Sequence, residues 1–229
     1  MPSTNNTMLQ TVANGLEELK NDVVFVGGAV AELYADAPEL SDIRPTQDVD
    51  CVISISSKTK HAKLEEALRV KKFANDTSQG APICRWIYKN IKVDVMPTDS
   101  SVLGFSNRWY EEGIEKRITK TLDDGTEIYV FPPEYYLAAK FEAHNNRGNS
   151  DLRTSHDFED IIYVLDNCSD ILKQIESAST GVNQYIKEQS MVLLQDDGLT
   201  EGIECALPYS AGDERVGYII KLIEAIAKM

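Results

Sequence analysis

Apolar positions follow two different periods along the chain, and the period changes near residue 132. Before that point, short apolar runs bounded by turn residues predict strands at residues 23–26, 48–55, 83–88, 91–96, 118–122 and 127–131. The short connections Lys89-Asn90 and Asp123-Asp124-Gly125 predict two tight hairpins among these strands. Helical spacing predicts helices at about residues 8–21, 29–34 and 59–72, and Asn5, Asn6 and Thr7 can cap the first of them.

After Pro133 the apolar spacing is helical throughout. It predicts helices at residues 133–145, 152–166, 169–178, 180–194 and 213–228, with a long glycine-containing connection at 195–212. The change of pattern predicts an α+β fold in which a mixed sheet flanked by helices is followed by a C-terminal helical bundle. We therefore expect an α/β domain over residues 1–132 and a helical domain over residues 133–229.

Charge and cysteine content limit the partners that this chain can have. The net charge of −14 over 229 residues argues against a broad nucleic-acid-binding surface, because such surfaces are basic. No apolar run approaches the roughly 20 residues that span a bilayer, so no membrane partner is expected. The four cysteines show no Cys-x-x-Cys spacing, which favours free thiols in a cytoplasmic protein over disulfides or a zinc site.

The most informative motif is a pair of aspartates, Asp48 and Asp50, in a predicted strand. Residues two apart in a strand point to the same face, so the two carboxylates lie side by side. Like charges that close repel each other, and a hard divalent cation with oxygen ligands relieves the repulsion. With Asp94 on a neighbouring strand, the three carboxylates can hold two Mg²⁺ ions roughly 3.5–4 Å apart. Such a pair of ions binds a nucleoside triphosphate (NTP) and activates an incoming hydroxyl.

Gly27 and Gly28 precede this pair, directly after a buried strand. Glycine lets the backbone approach a ligand closely, and the helix that follows offers free N–H groups to a phosphate. The plainer interpretation is a glycine turn with three surface aspartates on edge strands. The combined order of strand, Gly-Gly, helix, Asp-x-Asp strand and third-aspartate strand is more specific than either element alone. It favours a metal-dependent phosphate site.

This order of motifs resembles the polymerase-beta-type nucleotidyltransferase fold, and within it the AbiEii-type nucleotidyltransferase family of bacteria, which includes toxins of toxin–antitoxin pairs. The similarity covers roughly residues 20–170. Its segments are Phe25-Val26-Gly27-Gly28-Ala29, Thr46-Gln47-Asp48-Val49-Asp50, Val93-Asp94-Val95-Met96, Ala139-Lys140-Phe141-Glu142-Ala143, Arg147 and Asp157-Phe158-Glu159-Asp160-Ile161. Gly28 departs from the pattern because many members carry serine there, and the loop from Gly28 to Asp48 is longer than usual.

The resemblance implies Mg²⁺-dependent transfer of a nucleotide from an NTP, with release of pyrophosphate. It gives Asp48 and Asp50 the role of ligating Mg²⁺ at the triphosphate. Asp94 would join them at a second ion and favour deprotonation of the acceptor hydroxyl. Gly27 and Gly28 would cradle the phosphates.

The resemblance also implies roles in the helical half. Lys140 would stabilise charge on the departing pyrophosphate, and Asp157 would orient Lys140 or the acceptor. Asp160 lies three residues after Asp157 on a predicted helix, on the same face, and would support it structurally. From spacing alone, solvated helix charges are the plainer interpretation of Lys140, Arg147, Asp157 and Asp160. The resemblance favours a functional role for Lys140 and Asp157.

Three hypotheses about function remain, and the first two differ in the acceptor. In the first, the chain is a toxin that adds nucleotides to the 3′ end of tRNA, restrained by a cognate antitoxin protein. In the second, it modifies a small molecule, as in antibiotic modification by the wider fold. In the third, it is a degenerate nucleotide-binding or partner-binding module. The intact carboxylate trio weighs against the third hypothesis, and the acidic charge balance weighs mildly against RNA.

Overall fold

The computed structural model describes residues 3–147 and 151–229 and shows an α+β chain with one mixed sheet. The strands are β1 (Val23–Val26), β2 (Asp48–Ile53), β3 (Ala74–Asn75), β4 (Arg85–Tyr88), β5 (Ile91–Pro97), β6 (Ile118–Thr121) and β7 (Glu127–Val130). Within the described residues they form a seven-stranded sheet in the order β3-β4-β5-β2-β1-β7-β6. The β2–β5 and β1–β7 pairs are parallel and the others antiparallel, which confirms the predicted mixed sheet with flanking helices.

The helices occur on both sides of residue 132 and predominate after it. The α-helices are α1 (Thr4–Leu16), α2 (Lys58–Val70), α3 (Ser100–Leu103), α4 (Tyr110–Glu115), α5 (Pro133–Asn146), α6 (His156–Asn167), α7 (Ile171–Ser177), α8 (Thr180–Leu193), α9 (Leu199–Ala206) and α10 (Asp213–Ala227). Shorter 3-10 helices cover Glu17–Asn21, Gly28–Tyr34 and Pro38–Leu40.

Both predicted hairpins form, for different backbone reasons. Lys89 and Asn90 connect β4 to β5 with φ values of 47° and 66°, and two positive φ values are typical of the tightest hairpin turns. Gly125 connects β6 to β7 with a φ of 83°, and its N–H donates to the Leu122 carbonyl at 2.9 Å. The first turn determines the β4–β5 register, in which Tyr88 lies opposite Ile91.

The start of α1 differs from the prediction. The cap is Ser3, whose Oγ accepts a hydrogen bond from the Asn6 N–H at 3.0 Å, so Asn5 and Asn6 belong to the helix itself. Asn5 is 1% exposed, and the same face of α1 buries Leu9 and Val12. Because Ser3 provides the cap, the Asn5 side chain is available for tertiary contacts.

The chain divides into two compact units, each with its own core. One comprises Met1–Val30 and Arg44–Pro132, and the other comprises Ala31–Ile43 and Pro133–Met229. One division follows Pro132, whereas Ala31–Ile43, which the sequence analysis assigns to the α/β domain, belongs to the second unit. Buried residues of the first core include Phe25, Val49, Leu68 and Val93, and those of the second include Phe158, Ile161, Ile186 and Ile223.

Helix α9 lies in the stretch predicted to be a connection. Its Gly202 is buried, and a Cβ at that position would lie 2.6 Å from the Leu152 Cβ and 3.2 Å from the Phe158 Cε1. The glycine therefore permits close packing of this helix within the second unit. Glycine is a loop signal in a sequence, which explains why the sequence does not determine the form of this connection.

Candidate functional site

The Asp48–Asp50 pair lies in the middle of the sheet, on β2. Val49 between the two aspartates is fully buried, as the alternation of a strand requires. The parallel register of β2 and β5 places Asp50 opposite Asp94 and Asp48 opposite Lys92. Residues opposite each other on neighbouring strands share a face, so Asp48, Asp50 and Asp94 form one cluster, called here the carboxylate trio.

A guanidinium group, which sequence reasoning missed, occupies this cluster. Arg85 lies on β4 directly opposite Asp94. Its Nε donates to Asp94 Oδ1 at 2.8 Å and its Nη2 to Asp94 Oδ2 at 2.7 Å, the bidentate geometry of a strong ion pair. The same Nη2 donates to Asp48 Oδ2 at 3.1 Å. The sequence did contain a signal, because counting outward from the two-residue turn pairs residue 85 with residue 94.

Electrostatics around Arg85 reflect all three carboxylates. Its pKa lies above the usual range, first because it donates hydrogen bonds to Asp94 and further because Asp94, Asp48 and Asp50 attract its charge. Burial raises the pKa of the Cys51 thiol well above its usual value, and Asp50 and Asp94 add to the rise. The site is therefore a strongly negative field in which a cation is stabilised and a thiolate is disfavoured.

Gly27 is required beside this cluster by both backbone and space. Its φ is 73°, and a Cβ there would lie 2.0 Å from the Asp50 Oδ2 and 2.8 Å from the Asp50 Cγ. The carboxylate of Asp50 thus fills the volume that any other residue would need for its side chain. Gly28 begins the predicted helix, which is a 3-10 helix of seven residues, Gly28–Tyr34. The phosphate-cradling role of Gly27 and Gly28 stays a prediction.

A buried asparagine holds the segment that leads into β2. The Asn5 Nδ2 donates to the Arg44 carbonyl at 3.0 Å, and the Thr46 N–H donates to the Asn5 Oδ1 at 2.9 Å. Thr46 Oγ1 in turn donates to the Asp48 carbonyl at 3.0 Å. These bonds determine where Asp48 enters the sheet, so Asn5 positions the site although its sequence context suggested a helix cap.

The second predicted cluster lies in the other unit, on α5 and α6. Lys140 Nζ donates to Asp157 Oδ1 at 3.2 Å and lies 2.6 Å from Asp160 Oδ2. Arg147 reaches the second oxygen of Asp157, with Nη1 2.8 Å from Oδ2. Lys140 therefore contacts Asp157 and, more closely, Asp160, and the orienting role of Asp157 stays a prediction. We call these four residues the helical charge cluster; the pyrophosphate role of Lys140 stays a prediction.

Aromatic side chains can stack on a nucleobase, but Trp86 and Trp109 in the first unit are buried. Trp86 is 3% and Trp109 8% exposed, which is typical of core residues. Tyr88 stacks on Phe73 at 4.3 Å between ring centroids. Their packing explains these residues without a nucleobase.

The donor set of the carboxylate trio fits Mg²⁺, although the observed arrangement does not present it as a metal site. Carboxylate oxygens are the ligands that Mg²⁺ prefers, and the absence of a side chain at Gly27 lets the Asp50 carboxylate take its place in the cluster. In residues 3–147 and 151–229, no group of three or more His, Cys, Asp or Glu side chains is arranged to hold a metal ion. The geometry suggests why, since Arg85 engages both oxygens of Asp94 and one of Asp48.

Comparison with known proteins adds no family to this description. No protein-family model matches the chain, and a search of curated proteins finds no match. Among the helices that the structure describes, none combines the length and apolar character needed to cross a membrane.

Proposed function

We propose that this chain is a nucleotidyltransferase that moves a nucleoside monophosphate from an NTP to an acceptor hydroxyl. The observation that carries the proposal is the carboxylate trio on adjacent strands, with the Asp50 carboxylate lying in the space left by Gly27. Three acidic side chains on one face repel one another unless a cation joins them. A fold that keeps all three, and a bare glycine beside them, is suited to binding a cation with a phosphate.

Asp48, Asp50 and Asp94 would hold Mg²⁺, which when bound supplies charge neutralisation at the phosphates and eases deprotonation of an attacking hydroxyl. The chain's own contribution is alignment. Val49 anchors β2 in the core, and Asn5 determines the entry of the strand, so the carboxylates are held before a ligand arrives. Gly27 is partly exposed and offers main chain without a side chain next to Asp50. Preorganised groups of this kind lower the cost of reaching the transition state.

For the acceptor, the resemblance favours the 3′ end of tRNA, in a toxin restrained by an antitoxin protein. A small-molecule hydroxyl is the alternative. A second candidate function is a nucleotide-binding or partner-binding module without catalysis, and one observation favours it. The Arg85 guanidinium already pairs with Asp48 and Asp94, as a structural counter-ion would.

The experiment is nucleotide transfer by the purified chain with Mg²⁺ and each of the four α-labelled NTPs. Parallel reactions contain total RNA, protein extract or a small-molecule fraction, so the labelled product names the acceptor class. We expect Asp48→Asn and Asp50→Asn to lower transfer by more than about a hundredfold, since each removes a ligand of the reacting centre. Asp124→Asn is the matched control, because Asp124 is an exposed aspartate of the same unit whose carboxylate accepts the Thr126 N–H.

Circular dichroism and thermal unfolding establish that each variant is folded. Full transfer by both Asp48→Asn and Asp50→Asn would sink the proposal. Absence of label on every acceptor, with a folded wild-type protein that still binds NTP, would favour the binding module instead.

A further inference from the structure

Arg85 binds two members of the carboxylate trio, Asp48 and Asp94, so one guanidinium is shared by two carboxylates. The side chains of Arg85, Asp94 and Asp48 are 17%, 10% and 35% exposed, so solvent reaches the cluster from the Asp48 side. The guanidinium of Arg85 binds Asp94 through two nitrogens, and one of these nitrogens also binds Asp48. Arg85 therefore brings one positive charge to two carboxylates that carry two negative charges between them.

A divalent cation held by the trio needs the oxygens that Arg85 now binds. Both Asp94 oxygens and Asp48 Oδ2 are engaged. A cation on the same oxygens would lie within a few Å of the guanidinium, and two cations that close repel each other strongly in a partly buried place. The guanidinium and a bound divalent cation therefore exclude each other at these oxygens.

We infer that Arg85 is an exchangeable counter-ion of the carboxylate trio, which holds Asp48 and Asp94 until a divalent cation binds and then releases them. The inference rests on the proposed function for the identity of the cation. Arg85 acts through the carboxylates and is therefore a positioning residue. It keeps the trio aligned in the absence of metal and sets how strongly the site takes up a cation.

The β4–β5 hairpin makes such an exchange feasible without refolding. Arg85 is held opposite Asp94 by the register of a two-residue turn, so only its side chain needs to rotate. Its main chain stays tied, because its N–H donates to the Pro82 carbonyl at 3.0 Å and its carbonyl accepts from the Asp76 N–H at 3.1 Å. A released guanidinium would remain tethered beside the site. There it can pair with an anionic phosphate, for which its planar fork is well suited.

The first measurement is the affinity for Mn²⁺ in the absence of nucleotide. Electron paramagnetic resonance quantifies the free ion. For Arg85→Gln we expect Mn²⁺ to bind roughly tenfold or more tightly, since the cation no longer competes with a charged hydrogen-bonded pair. Arg85→Lys keeps the charge and loses the fork, so its affinity should fall between those of the wild type and Arg85→Gln.

The matched control is Lys71→Gln. The side chain of Lys71 is 15% exposed and binds two carboxylates, Glu17 at 2.6 Å and Glu18 at 3.0 Å, in the same unit. Removing it takes away a cation of similar exposure from a different carboxylate pair, so Mn²⁺ affinity should not change. A purely structural Arg85 predicts unchanged or weaker binding in Arg85→Gln, and that result would overturn the inference, as would no Mn²⁺ binding by either protein.

The second measurement observes the guanidinium directly. In protein labelled with ¹⁵N-arginine, the Nε–H signal missing from the Arg85→Gln spectrum belongs to Arg85. We expect this signal to shift on titration with Mg²⁺, with the same midpoint as cation binding. Cation binding that leaves the Nε–H signal unmoved contradicts the exchange.

Thermal unfolding gives a third readout. Without divalent cation, Arg85→Gln should unfold about 3–8 °C below the wild type, since the trio loses its counter-ion, and saturating Mg²⁺ should narrow the gap. These measurements contain no nucleotide, so they separate the two proposals. Exchange without nucleotide transfer would leave Arg85 in this role and sink the nucleotidyltransferase proposal. Transfer with unchanged Mn²⁺ affinity in Arg85→Gln would sink the exchange alone.

Discussion

On the sheet, Arg85 faces three carboxylates, and the side chain of Asp48 is 35% exposed. In the helical charge cluster, Lys140 lies between Asp157 and Asp160, whose side chains are 3% and 2% exposed. Each cluster joins neighbouring strands or helices through ion pairs between a basic side chain and aspartates, yet the surroundings of the two clusters differ. In the cluster on the sheet, one guanidinium is shared by two carboxylates and water has access. The helical charge cluster is closed around Lys140.

The difference follows from what burial does to charge. A buried ion without a partner is very costly, so the closed cluster holds its charges in a fixed arrangement. A partly exposed cluster with surplus negative charge loses less when its cation leaves, because water and another cation can replace it. The comparison therefore suggests a structural role for Lys140, Asp157 and Asp160, and an exchangeable role for Arg85. Three substitutions test this contrast.

The largest effect is expected at the centre of the helical charge cluster. Lys140→Met removes the buried cation that Asp157 and Asp160 share, and breaking a buried pair in this way costs about 3–5 kcal/mol. Arg147→Gln is the control on the same carboxylate, since Arg147 also binds Asp157 but its side chain is 68% exposed. An exposed pair contributes at most about 1 kcal/mol. Urea unfolding followed by circular dichroism measures both.

The triple variant Lys140→Met, Asp157→Asn, Asp160→Asn should recover part of the loss, because no uncompensated charge remains buried. If Lys140→Met costs no more than Arg147→Gln, the closed cluster is not structural. The contrast with the sheet would then fail.

A smaller effect is expected on the sheet, at Gly27. Gly27→Ala must adopt a φ of 73° and place its Cβ 2.0 Å from the Asp50 Oδ2. Gly125→Ala shares the positive φ, at 83°, but its Cβ would meet nothing within 4 Å. The backbone penalty of about 1–2 kcal/mol is therefore common to both, and the further loss of about 1–3 kcal/mol belongs to Gly27→Ala alone.

Mn²⁺ affinity gives this pair of variants a second readout. Gly27→Ala should weaken binding because the Asp50 carboxylate is pushed out of place, whereas Gly125→Ala should not. Equal losses of stability in the two variants would mean that Asp50 yields to the new side chain at no cost. The close approach at Gly27 would then carry no meaning for the site.

What the sequence predicted well is what neighbouring residues determine. Of the seven strands that the structure describes, all but β3 follow from short apolar runs or alternation, and the β4–β5 hairpin follows from its two-residue turn. Burial of Val49 between two aspartates on one face is the same local rule. Because Asp-x-Asp and the third aspartate are both short strand motifs, their placement on adjacent strands was also accessible to sequence reasoning.

What the sequence did not predict depends on contacts between distant segments. The side chain of Arg85 joins Asp48 to Asp94 only because β2 and β5 pair in parallel, 37 and 9 residues away from it along the chain. Asn5 holds the segment that leads into β2 only because Arg44, 39 residues later in the chain, lies beside α1. The identities of the nucleotide, the metal and the acceptor are harder still to predict, because no local sequence pattern specifies them.

The smallest effect is a pH dependence at the edge of the helical charge cluster. His144 Nδ1 lies 2.7 Å from Ser155 Oγ, which also accepts the Phe158 N–H as the cap of α6. Burial lowers the pKa of His144 below its usual 6.5, and the attraction of Asp157 and Asp196 only partly opposes this. The unfolded chain therefore takes up a proton at a higher pH than the folded chain does. Stability present above 6.5 is lost as the pH falls from there through the folded pKa.

We expect His144→Gln to flatten the decline in unfolding free energy between about pH 7.5 and pH 5.5, above the range in which most carboxylates titrate. His156→Gln is the control, because its side chain is 70% exposed on the same helix as Asp157, and it should retain the decline. Urea unfolding at a series of pH values measures the slope. A decline of the same slope in His144→Gln would assign the acid sensitivity to another group. The helical charge cluster would then be insulated from changes in solvent pH, unlike the more exposed cluster on the sheet.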